Sequence, residues 1–180
     1  GAVSLTNNKY LTDVNGFKNV KSIGSNLKKV ALEISQNDKL KNLGGLSGLN
    51  GKLNGAVVIV QNPSLAKLAG LQHISEINAN KAGVALDVSF NDALENLIGL
   101  KGLKTANGAV EIKYNHQLKS LSGLENVKTI SGKQVQKGRS LEIIGNDLLN
   151  INQADLQHLT KLAGGVKVEG NKCVEKKADD

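Results

Sequence analysis

The chain has 180 residues and a formal net charge of +7, with 23 Lys and Arg residues against 16 Asp and Glu. It contains one cysteine, which excludes an internal disulfide framework and a thiolate metal site. Aromatic residues make up 2% of the sequence, so the stacking platforms that bind single-stranded nucleic acid are missing and no nucleic acid partner is predicted. No apolar run is long enough to predict a membrane span. The only arginine is Arg139, and an excess of lysine favours loose attraction to anionic surfaces over bidentate phosphate binding.

One repeating unit occupies the chain from Val3 to about Asn171. Each repeat contains a short apolar alternation, namely Val3/Leu5, Leu32/Ile34, Val57/Ile59, Leu86/Val88, Val110/Ile112, Leu141/Ile143 and Val166/Val168. An asparagine follows each alternation, at Asn8, Asn37, Asn62, Asn91, Asn115, Asn146 and Asn171. The spacings between these asparagines are 29, 25, 29, 24, 31 and 25 residues, so long and short repeats alternate. A repeat of this length predicts a solenoid, here one domain over residues 1–174 followed by a charged tail, residues 175–180.

After each of the first six asparagines, apolar residues recur at every third position. The fifth repeat shows the pattern most clearly, with Leu118, Leu121, Leu124, Val127 and Ile130. In the sixth repeat the pattern slips and resumes at Leu156, Leu159 and Leu162. Since strands of a parallel sheet lie roughly 4.8 Å apart, seven repeats would form a rod on the order of 30 Å long.

Asparagine and glycine occupy fixed positions in the repeat. We expect each asparagine amide to be inward and to bond backbone groups of its own turn and of the next repeat, forming an asparagine ladder. We expect the glycines between the leucines to permit tight corners, as at Gly16, Gly70, Gly99 and Gly123.

The unit apolar-x-apolar-x-x-Asn-x-x-Leu-x-x-Leu-x-Gly-Leu-x-x-apolar resembles the receptor L-domain repeat, a relative of leucine-rich repeats, over nearly the whole chain. The resemblance implies a β fold, a single-domain right-handed β-helix or LRR-like solenoid of about seven coils with a parallel sheet. It also implies a non-catalytic binding or scaffolding role and an extracytoplasmic location, whether secreted, at the cell surface or in an organelle lumen. The chain lacks the terminal disulfides of receptor L domains.

The middle residues of the predicted strands form a row that could carry chemistry. They are Ser4, Glu33, Val58, Asp87, Glu111, Glu142 and Lys167, all expected to face outward. Stacking would place Asp87, Glu111 and Glu142 at roughly the 5 Å separation of the paired carboxylates in retaining glycosidases. A polysaccharide-active β-helix enzyme is therefore an alternative. The neighbouring positions offer no histidine, no arginine and no sugar platform beyond Phe90 and Tyr114, so we predict no enzyme and no catalytic residues.

The histidines do not predict a metal site. His73 and His158 occupy equivalent positions three repeats apart, on the order of 14 Å, which is too far to share a metal ion. His116 follows the fifth asparagine alone. No phosphate loop, nucleophile elbow, Cys/His cluster or EF-hand loop occurs, so no cofactor and no metal are predicted.

The long repeats carry their extra residues just before the next strand, in residues 24–29, 78–83 and 131–139. These inserts should protrude along one side of the rod, where they would present Lys28, Lys29, Lys81, Lys133, Lys137 and Arg139, here called the insert edge. Insertions in repeat proteins often lie on a binding face, so the insert edge is the predicted contact for a protein or an anionic glycan or surface. The other readings are that these inserts are ordinary solvated turns, or that the chain is a structural subunit of a larger assembly.

Two features of the chain ends stay open. Cys173 is either a small residue packed near the solenoid end or a disulfide partner of a segment outside the chain. The sequence begins with Gly-Ala-Val inside the first repeat, as expected for a mature product whose leader has been removed or for an excised domain.

Overall fold

The protein is described by a computed structural model, which describes residues 1–132 and 138–172. Eleven β-strands lie in these residues: β1 (Val3–Thr6), β2 (Val30–Ser35), β3 (Gly51–Leu53), β4 (Ala56–Val60), β5 (Ile74–Asn78), β6 (Val84–Ser89), β7 (Thr105–Asn107), β8 (Ala109–Lys113), β9 (Thr129–Ile130), β10 (Leu141–Ile144) and β11 (Val166–Glu169). The described part also holds one α-helix, α1 (Gln153–Leu162), and three 3-10 helices, Asn15–Phe17, Gly44–Leu46 and Ile98–Leu100. The fold is therefore mostly β, as predicted.

The larger sheet has seven strands in the order β1-β2-β4-β6-β8-β10-β11, and every neighbouring pair is parallel. The register aligns the predicted alternations, so that Leu32 lies opposite Val57 and Val57 lies opposite Leu86. These three side chains are buried, because alternate residues of each strand point into one core. A parallel sheet at this position of the repeat was predicted, and it is present.

A second parallel sheet, β3-β5-β7-β9, was not predicted. Its strands are only two to five residues long, and each contributes one or two buried residues among half-exposed or exposed ones, as Ile77 beside Glu76. In strands this short, the sequence shows no alternation of apolar and polar residues that would distinguish them from the preceding segment, where every third residue is apolar. Lys52 and Glu76 lie opposite each other on β3 and β5, and Lys52 Nζ is 2.8 Å from Glu76 Oε1. Hydrogen bonding from Lys52 lowers the pKa of Glu76.

The every-third leucines fill the space between the strands. Leu40, Leu43, Leu46 and Leu49 are fully buried, and their equivalents in the later repeats join them in one continuous core. Three of these segments contain a 3-10 helix, in which residues three apart share a face. The spacing of three therefore indicates a segment with one side facing the core, and the leucines lie on that side.

Glycines within these segments are required by contact between successive repeats. A Cβ built on Gly99 would lie 2.0 Å from the carbonyl oxygen of Leu68, and one built on Gly123 would lie 1.9 Å from that of Leu97. The expectation that these glycines serve tight corners is incomplete, since Gly99 does not have positive φ although Gly123 does, at +116°. The shared reason is that the backbone of one repeat touches the backbone of the next at this point.

The seven asparagines that define the repeat, here called the asparagine row, are hydrogen-bonded to one another in sequence. Each of the first six donates from its backbone N–H and from Nδ2 to Oδ1 of the next, at 3.0–3.3 Å. Nδ2 of each of the last six also donates to a backbone carbonyl in the large-sheet strand of the preceding repeat. Asn37, Asn62, Asn91, Asn115 and Asn146 have no exposed surface, which fits the predicted inward amides.

The irregular spacing of apolar residues in the sixth repeat corresponds to helix α1. Asn152 accepts a hydrogen bond from the backbone N–H of Asp155 at 2.8 Å, an N-cap interaction, and Leu159 is buried against the core. The interpretation of Leu156, Leu159 and Leu162 as a resumed repeat pattern is wrong, because these residues belong to an α-helix, in which residues three apart are neighbours and give the same spacing.

Cys173 and the predicted tail, residues 175–180, lie outside the described residues. Within the described ranges, none of the helices combines the length and apolar character that a membrane crossing requires.

Candidate functional site

The first two inserts of the insert edge fold in the same way. Asn26 Oδ1 accepts hydrogen bonds from the backbone N–H groups of Lys28 and Val30 at 2.9 and 3.0 Å. Asn80 Oδ1 accepts from Ala82 and Val84 at 2.9 and 3.1 Å. One asparagine two residues before the exposed tip therefore closes each turn.

These two inserts touch each other across the short repeat that separates them. The backbone N–H of Lys81 donates to the carbonyl oxygen of Lys28 at 3.1 Å, and Lys28, Lys29 and Lys81 are all exposed. Gly55, in the short repeat, packs beneath them, since a Cβ there would lie 2.7 Å from the carbonyl oxygen of Lys29. Three lysines of the insert edge are thus on adjoining turns.

The third insert contributes one described residue to the predicted set. Lys133 and Lys137 lie outside the described residues. Arg139 is half-buried, and its Nη1 donates to Glu142 Oε1 at 2.8 Å. Its guanidinium is therefore engaged by a carboxylate of the large sheet.

The three acidic residues Asp87, Glu111 and Glu142, here called the acidic row, are stacked on neighbouring strands as predicted, but they are not a row of exposed charges. Glu111 pairs in register with Asp87 on one side and Glu142 on the other. Glu111 is 7% exposed and Glu142 is 1% exposed, so the expectation that they face solvent is wrong. Burial of carboxylates requires compensating cations and hydrogen bonds, and these are present.

Lys113 supplies compensation on the strand that carries Glu111. Its Nζ is hydrogen-bonded to Glu111 and lies 3.5 Å from Glu142 Oε2. Burial acts to lower the pKa of Lys113, but the hydrogen bond and charge of Glu111, with Asp87 and Glu142 nearby, raise it overall. The predicted acidic face is consequently a compensated ion-pair cluster of Asp87, Glu111, Lys113, Arg139 and Glu142.

Asp87 is the member of this cluster whose ionised form is disfavoured by its surroundings. Burial raises its pKa, and the negative charge of Glu111 adds to the effect, whereas the hydrogen bond from Ser89 opposes it. Because its pKa in the folded state is above the ordinary value of 3.8, Asp87 makes the fold less stable as the pH rises from about 3.8 to the raised pKa, and the loss is complete above the raised pKa.

We therefore expect Asp87→Asn to raise the melting temperature at about pH 7, and this advantage to disappear as the pH falls to about 4, near the ordinary pKa of 3.8. Asparagine keeps an acceptor for Ser89. Thermal unfolding of the two proteins across this pH range measures the effect, with Asp38→Asn, an exposed position, as the control. An equal shift in both variants at both pH values would contradict it.

Sequence reasoning missed a second edge of the molecule, formed where each strand of the large sheet turns into the asparagine row. The residue before each asparagine has left-handed backbone conformation, with φ between +54° and +65°. These residues, here called the left-handed row, are Asn7, Gln36, Gln61, Phe90, Tyr114, Gly145 and Gly170. Asn and Gly are common in this conformation, but bulky aromatic residues there are rare.

The two aromatic residues of the left-handed row stack on each other. The ring centroids of Phe90 and Tyr114 are 4.8 Å apart with an interplanar angle of 24°. The two side chains remain 45% and 39% exposed. Gly145 makes room for the pair, because a Cβ there would lie 2.5 Å from Cδ1 of Tyr114.

A second row lies beside the first and is formed by the residues after the first six asparagines, here called the polar row: Lys9, Asp38, Pro63, Asp92, His116 and Asp147. His116 is not alone, since its Nδ1 is 2.7 Å from Asp147 Oδ2 and its Nε2 is 3.8 Å from Asp92 Oδ1. The two rows border an open groove of about 610 Å³ that extends from Asn7 to His116. The repeat fixes the positions that flank each asparagine, but the residue types at these positions share no pattern that predicts a groove from the sequence.

The other histidines lie apart from this groove. His158 on α1 is within 2.9 Å of the carbonyl oxygen of Val127, and His73 is exposed. Across residues 1–132 and 138–172, no group of three His, Cys, Asp or Glu side chains is arranged to hold a metal ion.

Comparison by sequence matches residues 72–178 to the family described as Receptor L domain. This match spans more than half of the chain and includes both aromatic residues of the left-handed row. Comparisons with curated proteins and with solved structures gave no match.

Proposed function

Since the chain belongs to the receptor L domain family, we propose that it is a binding module built as a right-handed β-helical solenoid of about seven coils. The family consists of non-catalytic, ligand-binding domains found in the extracellular parts of receptors. The seven parallel strands and the buried asparagine row support the solenoid, with the asparagine row as its internal ladder. An extracytoplasmic location follows from the same family membership.

The proposed contact for a protein or anionic glycan partner is the insert edge. The observation that carries this proposal is the backbone hydrogen bond from Lys81 to Lys28, which brings two exposed basic turns together. Like charges held side by side repel each other, and an anionic partner bound to them would relieve this repulsion. On the large sheet, by contrast, Lys113 and Arg139 are paired with carboxylates.

Charge reversal tests this contact. We expect the triple variant Lys28→Glu, Lys29→Glu, Lys81→Glu to elute from a heparin column at lower salt than the wild type. The matched control is Lys18→Glu, Lys104→Glu, Lys161→Glu, which changes the net charge equally at three exposed positions in the first repeat, the fourth repeat and α1. Since the Debye length is roughly 8 Å at physiological salt, only neighbouring lysines should reinforce one another.

Equal elution shifts in the two triple variants would mean that retention depends on net charge alone. The insert edge would then no longer be a candidate binding surface.

A further inference from the structure

We propose that the groove between the left-handed row and the polar row binds an uncharged, extended β-linked oligosaccharide of about four hexose units. This site and this class of ligand are additional to the insert edge and its anionic partner. The inference rests on the proposed function only in taking the chain to be a binding module. The groove lies along the asparagine row and includes no residue of the insert edge.

The side chains of the left-handed row supply free hydrogen-bonding groups at regular intervals. The amides of Asn7, Gln36 and Gln61 are exposed and make no side-chain hydrogen bond to another described residue. They come from consecutive repeats, so they are spaced by about one strand separation, roughly 4.8 Å. One hexose unit of an extended β-linked chain has about this length, so each unit would meet one amide, which can both donate to and accept from its hydroxyl groups.

The polar row faces the same groove with acceptors. Asp38 and Asp92 are exposed and line it, and His116 lies at its far end. Carboxylates accept hydrogen bonds from adjacent sugar hydroxyls, and Lys9 is the one lysine among the groove residues. One lysine against two carboxylates does not favour a polyanion, which separates this site from the insert edge.

Phe90 supplies an apolar surface at one end of the groove. Its ring lines the groove and is supported from behind by Tyr114, at a centroid distance of 4.8 Å. A sugar ring presents a C–H face that packs on an aromatic ring while its hydroxyls bond to polar groups, and sites of small ligands commonly combine these features. The left-handed φ of +58° at Phe90 and +54° at Tyr114 is unfavourable for aromatic residues, and strained residues of this kind cluster at binding sites.

The length of the groove sets the size of the ligand. Its lining extends from Asn7 in the first repeat to His116 in the fifth, which corresponds to four strand separations, roughly 20 Å. A chain of about four hexose units fills this length, whereas a single sugar would contact one repeat.

The experiment is titration calorimetry of the wild-type protein with three extended, β-1,4-linked hexasaccharides, cellohexaose, mannohexaose and chitohexaose, and with α-linked maltohexaose, whose chain coils. We expect at least one β-linked hexasaccharide to bind and maltohexaose to bind more weakly or not at all. In Phe90→Asn we expect the affinity to fall about tenfold or more, since the ring that lines the groove is lost, and in Tyr114→Asn we expect a fall because Phe90 loses the ring stacked on it. Asparagine already occupies the equivalent position at Asn7, so both variants should fold.

The control for loss of an exposed apolar side chain is Ile98→Asn, which is 52% exposed and lies outside the groove. Absence of binding by all three β-linked sugars would overturn the proposal, as would equal affinity in the wild type, Phe90→Asn and Tyr114→Asn. If Phe90→Asn instead weakened binding of a protein partner while no sugar bound, the groove would be a protein contact. The insert-edge variant Lys28→Glu, Lys29→Glu, Lys81→Glu should keep sugar affinity, so failure of either site can be recognised separately.

Discussion

Replacement of Gly99 by alanine is expected to destabilise the protein by more than about 4 kcal/mol, enough to prevent folding in a domain of ordinary stability. The added Cβ would lie 2.0 Å from the carbonyl oxygen and 2.3 Å from the carbonyl carbon of Leu68. Both are backbone atoms of the preceding repeat, so no side-chain rotation relieves the overlap. The repeats would have to separate at the centre of the core, because Leu97 and Leu100 are buried on either side of Gly99.

The first repeat provides a matched control. Gly16 occupies the equivalent position, in the 3-10 helix Asn15–Phe17 as Gly99 is in Ile98–Leu100, but a Cβ there would meet nothing within 4 Å. We expect Gly16→Ala to keep the wild-type midpoint in urea unfolding followed by circular dichroism. A similar midpoint for Gly99→Ala and Gly16→Ala would show that the repeats do not make the backbone contact described here.

The large sheet could be predicted because its signal is strong and repeated. Seven alternations stand at nearly equal distances from seven asparagines, and the predicted row from Ser4 to Lys167 matches the observed register residue by residue. A shift of one residue would move every inward side chain to the outside, so burial fixes the register once the repeat is known. The second sheet lacks such a signal, since strands such as Thr129–Ile130 contribute one buried residue each.

Helix α1 could have been found from the sequence. Asn152 stands three residues before Asp155, and the two interact at the N-terminus of the helix as a capping residue and an acidic first-turn residue do. The repeat pattern concealed it, because Leu156, Leu159 and Leu162 satisfy both a spacing of three and one face of an α-helix.

The burial of the acidic row could not be predicted from the strand pattern alone. Alternation places Glu111 and Glu142 on the outer side of the sheet, but their exposure depends on what packs over that side. Lys113 is on the strand of Glu111 and could have been suspected as its partner, whereas the engagement of Arg139 with Glu142 depends on how the third insert returns to β10. The insert edge itself stays a prediction.

The groove was missed because the sequence analysis treated the asparagines as the only informative position of the turn. The residues on either side vary from repeat to repeat, from Gln61 to Phe90 to Gly145, so they carry no consensus. Their common property is the left-handed backbone, which is visible only in three dimensions. Variation at a position of fixed geometry is the pattern expected of a recognition surface on a repeated scaffold.

The second large effect is expected at the centre of the asparagine row, where Asn91→Ala should destabilise the protein by about 3 kcal/mol. The Nδ2 of Asn91 donates to the carbonyl oxygens of Ile59 and Ser89 at 2.9 and 3.1 Å, and its Oδ1 accepts from the backbone N–H and Nδ2 of Asn62 at 3.2 and 3.1 Å. Alanine removes all of these bonds at once. Asn62 and Asn91 are fully buried, so the polar groups left behind would have no water to replace the lost partner.

Asn8, at the exposed end of the asparagine row, is the control for Asn91. It tests whether the destabilisation comes from buried hydrogen bonds or from removal of any asparagine side chain. Asn8 donates from Nδ2 to Thr6 and to Asn37 at 3.1 Å each, but it is exposed, so water can satisfy the groups that Asn8→Ala leaves behind. We therefore expect Asn8→Ala to change the free energy of unfolding by less than about 1 kcal/mol. Urea unfolding of both variants gives the comparison. If Asn91→Ala were no more destabilising than Asn8→Ala, the buried hydrogen bonds of the row would not be what stabilises the stack of strands, and the apolar core alone would have to account for its stability.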